Sequence, residues 1–203
     1  MEDIKTLSYS GLEDLLEDIE KPGRYIDQEI GTSSKGLEKL GRQSVLAALA
    51  FPDIYEVGMP NLGLQILYDI INRQKDLSAE RVFAPWIDME KAMREKGVRL
   101  FSLENRVFLQ SFDLIGFSLQ HELLYTNVLN MLDLSGLEAE AAKRSGRDPV
   151  ICAGGPAVFN PAPMSPFMDF MLIGDGEEAI IPVLERLSGF RAGKTSKKKF
   201  LDE

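Results

Sequence analysis

The sequence predicts an α/β protein with a doubly wound, mainly parallel sheet in the flavodoxin-like (Rossmann-like) strand order 2-1-3-4-5, preceded by an N-terminal helical and loop arm. Two observations predict this fold. Between residues 45 and 188, short apolar segments alternate with stretches of helical period, as in repeated strand–helix units. Several of the apolar segments end abruptly at glycine or proline, which is typical of strands that are buried on both faces of a parallel sheet.

The composition is that of a globular chain in one domain. The 203 residues are 44% hydrophobic and 27% charged, and the formal net charge is −9. Because phosphate binding needs clustered Lys and Arg, this acidic balance argues against nucleic acid as a partner. The single cysteine, Cys152, excludes a disulfide framework and a metal cluster held by thiolates of this chain alone. With no long apolar run and an acidic beginning, we expect a cytoplasmic protein without membrane contact.

The residues before position 45 are expected to form an arm. Apolar residues at helical spacing between positions 12 and 19 predict a short amphipathic helix, which Pro22-Gly23 ends. No period is sustained between positions 25 and 41, so we expect a long loop there. The arm would pack either over its own domain or on a second subunit, which leaves a homodimer open.

Six apolar segments are candidate strands. They are residues 45–51, 79–84, 98–103, 113–119, 150–153 and 169–173. Residues 104–111 are ambiguous, residues 138–147 form either a short helix or a solvated excursion, and the prolines within 157–168 exclude a regular element there. After Ser188 the chain becomes rich in Gly, Ser and Lys, so residues 189–203 are expected to be a linker.

Four helices are predicted between these strands, over residues 62–73, 87–96, 122–134 and from about 175 onward. Pro60 suits a helix start, while Gly97 and Gly136 suit the ends of the second and third helices. Asp175 and Glu178 have the spacing of a capping box, which explains these acids without a functional role. Pro182 disfavours a regular helix at that point, so a late start or a kink is expected.

The candidate site lies at the carboxyl ends of the strands, because ligands of open α/β sheets bind there. Two glycine-rich turns follow predicted strands, Gly154-Gly155-Pro156 and a second turn that begins at Gly174. These glycines either let the backbone approach a ligand closely or form tight turns with positive φ. Ser118 ends the central strand, and Gln120 and the only histidine, His121, follow it.

Each of these polar residues also has a simpler interpretation. Ser118 offers a hydroxyl to a ligand or caps the next helix, and His121 contacts a ligand or caps a turn. Trp86 either closes a pocket or packs in a core or an interface, and Cys152 is expected to be buried and inert. The sequence contains no Ser/His/Asp set, no metal cluster and no phosphate loop, so no catalytic residues are assigned.

Four segments in this order resemble one family. They are 58–64, 113–118, 151–156 with Asn160-Pro161, and 168–170 with 174–178. Together they resemble the cobalamin-binding-type domain that precedes the catalytic barrel in many radical SAM enzymes. With the arm, the chain looks most similar to the start of a large, poorly characterised group of such proteins. The resemblance implies an arm at 1–44, a cobalamin-binding-type domain at 45–188, and a linker at 189–203 toward a C-terminal radical SAM barrel.

The resemblance also implies where cobalamin would bind. The family's signature is Asp-x-His-x-x-Gly, whose histidine ligates cobalt; this chain has Asp53, Tyr55 and Gly58 at the matching positions. A phenol is a poor cobalt ligand, so cobalamin would be held in a His-off state with Ser118 and the glycines of residues 154–155. The 4Fe-4S cluster and S-adenosylmethionine would belong to the barrel, the implied partner, and this domain alone would not catalyse a reaction.

Two other hypotheses remain open at this point. In one, the fold has lost its cofactor and serves as a structural or interaction module, with Tyr55 and the proline-rich loop filling the former pocket. In the other, which has less support, the domain is a flavodoxin-like binder of a nucleotide or flavin.

Overall fold

The computed structural model describes residues 4–32, 37, 40–41, 44–191 and 197–202. It contains one five-stranded sheet in the order β2-β1-β3-β4-β5, and all neighbouring strands are parallel. The strands are β1 Val45–Phe51, β2 Leu77–Phe83, β3 Leu114–Ser118, β4 Val150–Gly154 and β5 Phe170–Leu172. The flavodoxin-like fold class predicted from the sequence is therefore confirmed.

Helices cover both faces of the sheet. They are α1 Tyr9–Leu16, α2 Tyr55–Gly58, α3 Leu62–Asn72, α4 Ile87–Lys96, α5 Tyr125–Leu134, α6 Gly176–Arg191 and α7 Lys197–Asp202. Each face has its own core because successive side chains of a strand point in opposite directions. Leu46, Ala48 and Ala50 of β1 pack with α4 and α5, whereas Leu49 and Phe51 pack with α3 and α6.

The N-terminal arm packs on its own domain. Leu7, Leu12, Leu15 and Ile19 are buried in the same core as α4 and α5. Asn61 starts α3 by accepting a hydrogen bond from Leu64 N–H at 3.0 Å, so Pro60 lies just outside the helix rather than at its first position. None of the helices among the described residues has the length and apolarity that a membrane span requires.

The predicted strand at residues 98–103 is wrong, because side chains occupy the edge of β2 where a further strand would pair. Glu104 Oε2 accepts a hydrogen bond from Arg81 N–H at 2.8 Å, and the Asn72 amide bonds the N–H and carbonyl of Ala79 at 2.9 and 3.1 Å. Leu103 N–H in addition donates to a backbone group of the edge, the Arg81 carbonyl, at 2.9 Å. The segment therefore covers the edge without extending the sheet, which limits pairing with another chain.

Three other stretches differ from their predictions. The loop after β1 contains α2, and the proline-rich stretch contains a 3-10 turn at Pro156–Phe159. The stretch predicted as a linker contains the last three residues of α6 and the helix α7, while 192–196 and 203 lie outside the described residues. Pro182 is accommodated inside α6, which neither starts late nor is interrupted there.

Candidate functional site

The register of the sheet brings the predicted site residues to one edge. Ser118 pairs with Gly154, and Gly154 pairs with Leu172, so β3, β4 and β5 end side by side. Ala50 of β1 lies opposite Phe117 of β3, so the loop after β1 emerges beside the end of the central strand. The candidate residues at 53–58, 118–121, 154–156 and 174 therefore all lie at the carboxyl edge of the sheet.

Gly155 approaches the protein's own backbone rather than open space. Its φ is +102°, and a Cβ at this position would lie 2.7 Å from the carbonyl oxygen of Leu119. That backbone is fixed on both sides, because Leu119 N–H donates to the Gly154 carbonyl and Leu119 O accepts from Ala157 N–H, at 2.8 and 3.0 Å. The tight turn with positive φ is therefore sufficient to explain why residue 155 is glycine, and close approach of a ligand is not needed to explain it.

Gly58 is likewise required by packing. It is buried in α2, and a Cβ here would lie 2.6 Å from Phe83 Cδ1 and 2.9 Å from Phe51 Cδ1. The glycine lets the short helix lie directly on two aromatic rings at the ends of β1 and β2. A ligand is not needed to explain it.

Gly154 and Gly174 face more space. A Cβ on Gly154 would have the Leu172 carbonyl oxygen as its nearest neighbour at 3.7 Å, an ordinary contact, and a Cβ on Gly174 would meet nothing within 4 Å. Gly174 has a φ of +113° and is exposed. These two glycines, with the exposed Pro156, leave open backbone along the ends of β4 and β5.

Tyr55 packs partly into the core. Its ring lies edge-on to Phe83 with 5.6 Å between centroids, and the side chain is half-buried against the core on the α3 side of the sheet. Asp53 has hydrogen-bond partners within the protein, because its Oδ1 accepts from Ile54 N–H at 2.7 Å and its carbonyl accepts from Ala84 N–H at 3.0 Å. Contacts within the protein therefore hold the loop after β1 in place.

Three polar residues lie at the end of β3 and directly after it. The side chains of Ser118 and Gln120 are half-buried, His121 is exposed, and these three make no side-chain hydrogen bond within the part of the chain that the structure describes. Ser118 does not cap a helix, since Leu124 holds the N-cap position of α5. His121 precedes the 3-10 turn Glu122–Leu124 but its ring caps nothing.

The proline-rich loop after β4 is anchored by a residue that the sequence analysis missed. The Arg144 side chain is fully buried; its NH1 donates to the carbonyls of Glu138 and Ala139 at 3.0 and 2.8 Å. Its NH2 donates to the carbonyl of Phe167 at 2.9 Å and lies 3.3 Å from Asp169 Oδ2. Nothing in the polar, alanine-rich stretch around this arginine distinguishes it from the exposed residues nearby.

Exposed apolar side chains surround the carboxyl edge, and each of the five strands is followed by at least one. They are Val57 and Leu62 after β1, Trp86 and Ile87 after β2, Leu123 after β3, Phe159 after β4 and Ile173 after β5. Leu123 is 83% exposed and Phe159 is 73% exposed. Isolated apolar residues are normal on a surface, but their concentration along one edge is typical of a surface that contacts a ligand or another protein domain. We call this set the apolar rim.

The electrostatics of the edge are acidic. Glu56, Glu122, Asp175, Glu177 and Glu178 are exposed there, which disfavours a bound phosphate. No group of three or more His, Cys, Asp or Glu side chains in the described ranges is placed to hold a metal ion. Burial, followed by the charge of Asp169, raises the pKa of Cys152 to about 12, so this thiol is not a nucleophile near neutral pH.

Comparison with known proteins identifies the family. The sequence model of the family described as "Radical SAM proteins, N-terminal" matches residues 63–203, more than half of the chain. This chain belongs to that family. It is also 22% identical over 142 residues to an uncharacterized protein of Methanocaldococcus jannaschii, MJ0966. That match covers 68% of this chain and 26% of the relative, so the chain spans about a quarter of the length of that protein. No solved structure matches this chain.

Membership confirms part of the sequence-based interpretation. The chain is an accessory, N-terminal domain of a radical SAM protein, as the resemblance implied. The structure places every candidate residue at one edge, and at two of them, Gly58 and Gly155, it supplies a packing reason for the glycine. The apolar rim was not predicted, because single Leu, Ile or Phe residues in loops carry no signal until the topology brings them together.

Proposed function

We propose that this domain holds cobalamin, without a histidine ligand, on the carboxyl edge of its sheet and presents it to a radical SAM barrel elsewhere in the full-length protein. The observation that carries the proposal is the apolar rim together with the free side chains of Ser118 and Gln120 inside it. The 4Fe-4S cluster and S-adenosylmethionine would be bound by the barrel. Membership of the radical SAM family supports the proposal.

The chemistry of the edge fits a corrin ring. A corrin is a flat disc with a broad apolar face and amide groups at its periphery, so it suits an apolar surface with a few polar contacts. Leu123, Phe159 and Ile173 would contact the face, and Ser118 and Gln120 would hydrogen-bond to peripheral amides. The open backbone beside Gly154 allows close approach. When bound, cobalamin would supply a redox-active cobalt centre.

The loop after β1 fits a His-off state. The position of the family's histidine is held by Tyr55, whose ring is packed against Phe83. His121 lies in a different loop, after β3, and is exposed. The chain's own residues would orient the ring and exclude water from it, and no side chain of the loop after β1 would ligate cobalt.

Retention of hydroxocobalamin tests the proposal. The protein is incubated with hydroxocobalamin and desalted, and the visible spectrum of the protein fraction is recorded. We expect near-stoichiometric corrin in the wild type and a large loss in the Leu123→Glu, Phe159→Glu double variant, which places two charges on the rim. Tyr9→Glu is the matched control, since Tyr9 is 72% exposed on α1, away from the rim. An absence of retained corrin in a folded wild-type protein would refute cobalamin binding.

A second candidate function has its own support. Gly58, Gly155 and Tyr55, three residues that resemble ligand-binding positions of the family, contact the protein itself. This arrangement favours a cofactor-free module whose rim contacts the barrel directly. The same spectra separate the two functions, because a module of this kind retains no corrin, and the rim variant then weakens only the association of the domain with the separately produced remainder of the protein.

A further inference from the structure

The N-terminal segment Glu20–Tyr25 reaches the carboxyl edge. The guanidinium of Arg24 donates to Glu56 Oε1 of α2 through Nε at 2.9 Å and NH2 at 2.7 Å. Lys21 Nζ lies 3.7 Å from the same oxygen. The arm, expected from the sequence to pack either on its own domain or on a second subunit, thus contacts the loop of its own domain that contains the family's signature positions.

The same segment also holds the loop after β2. The Arg24 guanidinium lies 5.5 Å from the centre of the Trp86 ring, and Tyr25 Oη accepts a hydrogen bond from Trp86 N–H at 3.0 Å. Glu20 N–H donates to Asp88 Oδ2 at 3.0 Å. One short segment therefore joins two loops that follow neighbouring strands of the sheet.

These contacts are well packed. The Arg24 side chain is only 9% exposed, although its partner Glu56 is half in solvent. The cavity that remains between the segment, α4 and the end of β2, lined by Tyr25, Phe83 and Met89 among others, measures about 20 Å³, which holds about one water molecule. The hydrogen bond from Arg24 lowers the pKa of Glu56, so the pair stays ionised near neutral pH.

The helix that Arg24 holds is too short to be stable alone. α2 has four residues, and a single helical turn has little intrinsic stability in water. Its position therefore depends on its neighbours: the Phe83 and Phe51 rings on one side and Arg24 on the other. Tyr55 is the first residue of this helix and precedes Glu56, so a displacement of the helix backbone at Glu56 also displaces Tyr55.

We infer that Arg24 is a positioning residue of the carboxyl-edge site, and that the N-terminal arm fixes the shape of this site by joining α2 to the loop after β2. Its effect on a ligand rests on the proposed function; its effect on the two loops does not. The residue acts through its hydrogen bonds to Glu56 and its guanidinium stacked over Trp86.

The single tryptophan gives a direct measurement in the absence of any ligand. Trp86 is the only tryptophan of the chain, and it makes two of the contacts with the arm, to Arg24 and to Tyr25. In Arg24→Ala we expect its emission to shift to longer wavelength, because the indole face becomes exposed to water. Arg73→Ala is the matched control, since Arg73 forms an exposed ion pair with Asp69 at the far end of α3. An Arg24→Ala emission spectrum equal to that of the wild type would overturn the inference.

Hydrogen exchange distinguishes positioning from a general loss of stability. In Arg24→Ala and in Glu56→Gln, which leaves the arm intact, we expect faster exchange confined to the amides of residues 54–59. Arg24→Lys keeps the charge beside Glu56 but lacks the planar group over Trp86, so it should restore slow exchange but not the emission. Exchange that rises throughout the domain, or that stays unchanged in α2, would contradict a positioning role.

Titration with hydroxocobalamin then connects the arm to the ligand. If the wild type binds, we expect Kd to rise about fivefold in Arg24→Ala, the scale of one ion pair plus one stacking contact, and to stay unchanged in Arg73→Ala. An unchanged Kd in Arg24→Ala would refute the effect on binding. Failure of the wild type to bind refutes the cobalamin proposal alone, because the emission and exchange results do not depend on it.

Discussion

Replacement of Gly155 by alanine provides the sharpest test of how the glycine-rich turn after β4 works. With φ at +102° and ψ at 179°, Gly155 occupies a region that is almost restricted to glycine, so strain alone costs about 1–3 kcal/mol. The new Cβ would also lie 2.7 Å from the Leu119 carbonyl oxygen. Moving that group weakens two backbone hydrogen bonds, each worth about 1 kcal/mol.

Together, the backbone strain and the two weakened hydrogen bonds should lower the free energy of unfolding of Gly155→Ala by about 3–5 kcal/mol, or its Tm by roughly 10 °C for a chain of this size. Urea denaturation followed by circular dichroism measures it. Two neighbouring glycines are the controls. Gly174→Ala, with positive φ but open space, should lose only about 1–2 kcal/mol, and Gly154→Ala, with neither positive φ nor a close contact, about 0.5 kcal/mol or less. If Gly155→Ala is no more destabilising than Gly174→Ala, the contact with Leu119 is not what requires glycine.

Two further predictions concern the covered edge of β2. Burial, opposed by Arg81, raises the pKa of Glu104 from 4.5 to about 7, so the native state keeps a proton that the unfolded chain loses. Stability should therefore fall by about 3 kcal/mol as pH rises from about 4.5 to 7, and Glu104→Gln should flatten this fall in urea titrations at several pH values. The buried Asn72 amide bonds the N–H and carbonyl of Ala79, at 2.9 and 3.1 Å, so Asn72→Leu should lower stability by about 2–4 kcal/mol in the same assay.

The succession of strands and helices along the chain could be predicted because the sequence patterns that indicate them are local and repeated. Each strand is an apolar segment that ends at a turn residue, and the helices between them follow their own period, as in the unit from β1 to α3. The sequence-based strand at 98–103 failed for a physical reason. Glu104 and Asn72 bond backbone groups of Arg81 and Ala79 at the edge of β2 that a sixth strand would otherwise pair with, and hydropathy does not show this competition.

The location of the candidate site could be predicted, but its detailed contacts could not. Its location at the carboxyl edge follows from the topology, since the carboxyl ends of parallel strands meet at one side of a sheet. The contribution of the arm was not predictable, because Arg24 and Glu56 are 32 positions apart and lie in stretches without periodicity. The buried Arg144 was also missed, because it donates to backbone carbonyls, and a sequence pattern of side chains does not reveal such partners.

The resemblance to cobalamin-binding domains rests on residues of two kinds. Gly58 and Gly155 are required by contacts inside the fold, so their presence indicates the fold and says little about a ligand. Ser118 and Gln120 have no such internal reason, because their side chains make no hydrogen bond with the described part of the chain although both are half-buried. The residues that decide between a cofactor site and a docking module are therefore those after β3, rather than the glycines that first mark the motif.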